Sequence, residues 1–295
     1  MLSLLLTTAL AGEVGFRHQL AGSYFPEGLR YAFRGDYSIP LWNSDSILFQ
    51  DTFLAPGLYF DVTPAYAHVG PILRFSPIAV LEIEAQADAG YYFGSFSGVT
   101  DFYGMDDNFG DEARDAIHAM GGHKAAGPVF RASVSPTLQA KVSHFIIALP
   151  QEFVWIWKPR PEGTPCSGDP ALDFTAEGNR SCIGDYWYES QYDSLLKWND
   201  LVMTNSALAF WAFRESTDED PRMFWLGVNF SHQYTFGTKD RTTKIGPMAV
   251  FKPAKSPYVP TFAVFTQAYL TSRIYDTFPP YIAIAGIWNH GLKKK

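Results

Sequence analysis

The feature that most limits what this chain can fold into is a period of two, held over unusual lengths. From Ile78 to Phe93 the odd positions Ala79, Leu81, Ile83, Ala85, Ala87, Ala89, Tyr91 and Phe93 are apolar, while Glu82, Glu84, Gln86 and Asp88 sit between them. Successive side chains of an extended strand point to opposite faces, so this run has one oily face and one charged face. Leu29 to Ile39 repeats the pattern, with Leu29, Tyr31, Phe33, Tyr37 and Ile39 against Arg30, Arg34 and Asp36. Arg222 to Phe236 sets Phe224, Leu226, Val228, Phe230, Tyr234 and Phe236 against Asn229, Ser231, Gln233 and Thr235. Strands of ordinary globular domains run about 5–6 residues. A tilted strand that crosses lipid needs about 9–11. The expected fold is therefore all-β: an antiparallel up-and-down transmembrane β-barrel with long extracellular loops.

Thirteen candidate strands are read, near 15–24, 28–38, 46–60, 65–76, 78–94, 124–135, 137–157, 184–196, 200–213, 222–236, 243–252, 259–272 and 280–290. Single-chain barrels usually carry an even number, so the expected count is twelve, within a range of 10–14. Ser76-Pro77 and Ser135-Pro136 read as tight turns at one end of the barrel. Gly94–Lys124, Lys158–Gly184 and the shorter, acidic Arg214–Pro221 read as the longer loops of the other end.

Composition narrows the alternatives. Charged residues make up 18% and aromatics 16%, a balance opposite to that of a disordered chain. So many rings suit either a large soluble core or a surface that meets lipid. A soluble secreted β-sandwich is the fold alternative, and it would bury Leu81, Ile83, Phe224 and Phe230. The net charge of −7, with no basic cluster beyond Lys293–Lys295, argues against a nucleic-acid partner.

The apolar stretch from Leu2 to Leu10, ending in Ala9-x-Ala11, reads as a signal peptide over residues 1–11. Residues 12–295 then form a single barrel domain. Cys166 and Cys182 lie in one polar, Gly/Pro-rich segment, and this suits a loop-closing disulfide in an oxidising compartment.

The leader, the two-residue repeats of Leu29–Ile39 and Ala79–Phe93, and the aromatic strand ends at Tyr91, Phe93, Tyr234 and Phe236 resemble Gram-negative outer-membrane β-barrel proteins. The resemblance is architectural and covers most of the chain. It implies an outer-membrane location and contact with membrane lipid.

With the apolar faces turned to lipid, Arg30, Arg34, Asp36, Arg74, Glu82, Glu84, Asp88, Lys141, Glu189 and Asp193 point inward and line a pore. Arg74 and Glu82 flank the Ser76-Pro77 turn and are expected to pair across it. The leading function is a porin-like channel for passive transport of small polar or charged solutes, the inward charges acting as a filter. The alternative is a barrel without a conduit, serving structure or surface interaction. A third reading is an outer-membrane hydrolase. Ser143-His144 and Ser231-His232 are adjacent pairs, and neighbours on one strand face opposite ways. His118 and His123 lack an H-E-x-x-H frame. Catalytic residues are thus not assigned, and no cofactor is expected. Asp106, Asp107 and Asp111 are the candidate ligands of a hard cation, in a segment rich in oxygen donors.

Overall fold

The computed structural model describes residues 13–292 apart from 25–27, 43–45, 47, 50–51, 95–99, 120–125, 168–172, 174–181, 216–219, 221, 257 and 276–279. The leader, His123 and Lys293–Lys295 lie outside the described residues. In chain order the elements are β1 (Glu13–Tyr24), β2 (Gly28–Pro40), β3 (Phe53–Val62), β4 (Tyr66–Ile78), β5 (Leu81–Tyr92), β6 (Asp101–Phe102), α1 (Asp111–Ala119), β7 (Gly127–Val142), β8 (Phe145–Trp157), β9 (Tyr186–Glu189), β10 (Ser194–Lys197), β11 (Asn199–Arg214), β12 (Met223–Thr235), β13 (Arg241–Lys252), β14 (Thr261–Thr271) and β15 (Tyr281–Leu292).

Twelve of the strands close a barrel in the order β1-β15-β14-β13-β12-β11-β8-β7-β5-β4-β3-β2. β1 completes the circle by pairing antiparallel with β15, from Val14 opposite Leu292 to Tyr24 opposite Ile282. The twelve wall strands run from 10 to 16 residues, enough to cross lipid at a tilt. Alternation decides what faces out. Leu58 and Phe213 are each 63% exposed, and Val69, Leu138, Trp155, Leu226 and Ile284 are exposed with them. Phe224 is 38% exposed, and Leu81, Ile83 and Phe230 are only half-buried. Apolar exposure on this scale far exceeds what a soluble monomer carries, and it encircles the wall as a lipid-facing belt. The β-sandwich alternative fails on the same residues.

Four sequence expectations are corrected by the chain's path. Ser135-Pro136 is not a turn but the middle of β7, and the turn to β8 falls at Ser143-His144, where Ser143 takes φ 54°. The β7–β8 ladder passes from Val134–Phe153 to Thr137–Pro150 and skips Ser135 and Pro136. Pro136 and Pro150 have no N–H to donate, so both fit where the ladder is broken. Ser76-Pro77 closes β4 at an irregularity, and the turn proper is Ala79-Val80. β11 ends and β12 begins at the same end as these turns, so the connection read as Arg214–Pro221 does not belong with the long loops. Segment 184–196 is not a wall strand. It is the β9–β10 hairpin, the segment that brought the sequence reading to thirteen.

That hairpin joins β6 in a separate three-stranded sheet, β10-β9-β6. One set of its side chains (Trp187, Tyr192 and Leu196) packs on Tyr66, Tyr92, Val129, Val154, Ile156 and Val202 of the wall. Tyr188 and Leu195 pack on Phe102 and Phe109, with Ile117 of α1 and Ile274 against them. The sheet therefore stands inside the loop end of the barrel as a plug with its own apolar core.

Candidate functional site

The lumen is charged along one arc of the wall. Arg30 Nε donates to Asp61 Oδ1 at 2.9 Å, and Arg30 Nη2 to the Tyr59 hydroxyl at 2.6 Å. Arg34 Nη1 donates to Glu84 Oε2 at 3.0 Å. Arg74 Nε donates to Glu82 Oε1 at 2.7 Å, the pairing expected from the sequence, and its Nη1 reaches Asp36 Oδ2 at 3.3 Å. Arg131 forms a fork on Asp88, with Nε–Oδ1 at 2.9 Å and Nη2–Oδ2 at 3.2 Å. Cations and carboxylates thus alternate over neighbouring strands, as a low-dielectric wall requires if each charge is to be compensated.

Higher in the lumen, His68 stacks on Tyr66 with ring centroids 4.6 Å apart and meets Tyr92 edge-on. Gly90 makes room for it: a Cβ there would lie 1.7 Å from His68 Cδ2. The plug adds polar ties to its apolar contacts. Glu189 accepts from the Tyr92 hydroxyl and, at 2.6 Å, from the Tyr192 N–H. Gln191 accepts from Arg131, and Gln233 Nε2 donates to the Tyr192 carbonyl at 2.7 Å and Ser194 Oγ at 2.8 Å. Burial pushes the Glu189 carboxyl above the usual carboxylate range, and these donors only partly offset it. Lys158, just past β8, lies over the Tyr92 and Trp187 rings, and burial lowers its ammonium to about 8.

Below the plug is a cavity of about 290 Å³. Gln191 and Tyr192 of the hairpin reach it, and Arg17, Arg30, Arg34, Glu84, Asp88, Arg131 and Glu152 bring charge to its wall. Arg17, Asp61, Arg131 and Glu152 were not singled out from the sequence. A usable signal existed: each is a charge on the phase opposite the exposed apolar residues of its strand.

The other sequence candidates are placed as follows. Arg30, Arg34, Asp36, Arg74, Glu82, Glu84 and Asp88 come together on the inner faces of β2, β4 and β5. Lys141 has the inward phase but sits at the turn end of β7, half-exposed and paired with Glu215. Glu189 and Asp193 belong to the plug hairpin and not to the barrel wall. Asp193 accepts from the Tyr188 hydroxyl at 2.6 Å. Asp107 Oδ2 accepts from the Tyr103 and Gly104 N–H groups, Asp111 pairs with Arg114, and Asp106 stays exposed. Two of the three carboxylates are thereby engaged within the protein. Cys166 and Cys182 form a disulfide. A carboxylate, Asp173, lies close to the two sulfurs, but disulfide sulfurs are not thiolate ligands and Asp173 already accepts from Ser167. His232 Nδ1 pairs with Thr243 Oγ1 on the outer face while Ser231 faces inward, and Ser143-His144 form a turn. His118 pairs with Thr100.

No protein-family model matches the sequence, and no curated protein matches it. Solved structures similar to this chain are outer-membrane proteins. One is the β-domain of the Bordetella autotransporter BrkA, at 10% identity, covering 94% of this chain and 99% of that one, with TM-score 0.48. The NanC porin is similar at 7% identity over 92% and 98% of the two chains, with TM-score 0.42. An outer-membrane channel from Pseudomonas putida F1 is similar at 9% identity over 95% and 96%, with TM-score 0.39.

Proposed function

We propose that the protein is an outer-membrane barrel of a Gram-negative bacterium that passes small polar or charged solutes, and that the β9–β10 hairpin closes its route at the loop end. The observation that carries this reading is the cavity: charged and amide side chains surround open volume at the centre of the barrel instead of filling it. Passage requires the hairpin to move, since Trp187, Tyr192 and Leu196 seal the upper lumen against the wall. That same seal favours a second reading, a barrel with no conduit that serves structure or surface interaction.

Planar-bilayer recording separates the two. Wild-type protein is compared with a hairpin-shortened variant in which Tyr186–Lys197, which carries all three sealing side chains, is replaced by a short glycine–serine linker. A gated conduit gives low conductance for the wild type and stepwise currents for the variant. Silence from both, with the variant folded, rejects the conduit and leaves the structural reading.

A further inference from the structure

Two charged side chains in the cavity have no hydrogen bond or ion pair among the described residues, and they stand on opposite walls. Arg17 is on β1 and Glu152 on β8, six strands apart in a ring of twelve. Arg17 lies directly across the β1–β2 ladder from Arg34, so two guanidinium groups share one spot on the inner face. Like charges directly opposite cost stability. Arg34 is matched by Glu84, whereas the charges acting on Arg17, namely Arg34, Arg74, Glu84 and Glu82, do so without contact. Arg34 Nε also lies 3.3 Å from Asp36 Oδ2, so of the two guanidinium groups Arg17 is the one left unmatched. On the far wall the cations that act on Glu152 are Arg131 and Arg30, each already bound to its own carboxylate, Asp88 or Asp61.

We propose that this cavity binds a small zwitterionic solute, an amino-acid-like molecule whose carboxylate is held by Arg17 with Arg34 and whose ammonium is held by Glu152. A guanidinium pair presents parallel donors that match a carboxylate. A simple anion would satisfy Arg17 and leave Glu152 unmatched, and a simple cation would do the reverse. A solute with both charges satisfies both walls at once, while Gln19, Gln86 and Ser133 between them offer neutral partners. The volume of about 290 Å³ restricts the solute to a small one. The inference rests on reading the lumen as a solute route.

The test is calorimetric titration of the full chain in detergent with three probes of similar size: 4-aminobutyrate, butyrate and butylammonium. Loss of one charge-assisted contact weakens binding about tenfold or more. Wild-type protein is expected to bind 4-aminobutyrate that much more tightly than either single-charge probe. R17Q should erase its advantage over butylammonium, and E152Q its advantage over butyrate. R17K keeps the charge without the fork and should bind with intermediate strength. Thermal unfolding of each variant confirms that it is folded. Equal binding of all three probes, no binding, or a preference unchanged in both R17Q and E152Q overturns the proposal. So does butyrate binding as tightly as 4-aminobutyrate. Uptake of 4-aminobutyrate into proteoliposomes is measured separately with the hairpin-shortened variant of the conductance test: wild-type binding without uptake through that variant retains the site and rejects the route, and uptake without binding does the reverse.

Discussion

The Arg131–Asp88 fork allows the energetics of the lumen to be tested on one pair. The two side chains are 4% and 3% exposed, and they share two hydrogen bonds of 2.9 and 3.2 Å. Asp88 also accepts from Gln86 Nε2 at 2.7 Å, and Arg131 reaches Gln191 of the plug. In D88A the guanidinium keeps the neutral Gln191 contact but loses its counter-charge. Two unit charges 4 Å apart interact by about 4 kcal/mol at an effective dielectric of 20. Breaking a buried pair from one side costs about 3–5 kcal/mol, because the remaining charge stays desolvated. D88A should therefore lower stability by about that amount. D88A/R131L removes both charges and should recover most of the loss. Urea unfolding in detergent micelles, followed by tryptophan fluorescence, measures both variants. A D88A cost below about 1 kcal/mol, or a double variant no more stable than D88A, would refute a compensated, water-poor pair.

Four further outcomes are expected. W187A removes a fully buried ring that meets Tyr92 edge-on at 5.4 Å, so plug docking should weaken by about 3–5 kcal/mol. Limited proteolysis should then cut within 158–198, and wild-type resistance would count against the plug assignment. The raised Glu189 carboxyl makes docking pH-dependent: as pH rises from the usual carboxylate range through the raised value, the undocked form ionises first and docking weakens. Protease resistance should fall across that window in the wild type and stay flat in E189Q, and a rise with pH in the wild type would reverse the sign. L58R puts a cation on the lipid face at mid-strand of β3 and should cost about 2–4 kcal/mol in refolding into vesicles, whereas a cost near zero would place Leu58 off the bilayer. In the hairpin-shortened variant, E82Q/E84Q should shift the reversal potential toward anions, and an unchanged potential would remove Glu82 and Glu84 from the conducting path.

Much of this was legible in the chain before any folding. Alternation assigned Arg30, Arg34, Glu82 and Glu84 to one face and Leu81, Ile83 and Phe224 to the other, because the direction of a strand side chain is a local property. The Arg74–Glu82 pair could be foreseen for the same reason, since a short turn joins the two strands that carry it. Ser135-Pro136 misled because proline marks turns by local geometry, whereas here a gap in the ladder to β8 accommodates it. The extra strand at 184–196 misled because a plug hairpin with one side on the wall and the other on α1 and β6 alternates much as a wall strand does.

Period two by itself determined that the chain is a two-faced sheet of long strands with its charges gathered on one face. Closure, the plug and the opposition of Arg17 to Glu152 were decided only by tertiary structure. Which strand stands across the lumen depends on strand count and stagger around the whole ring, and no local pattern carries that. Charges up to 135 residues apart in sequence therefore came to face one small cavity only once β1 had closed on β15.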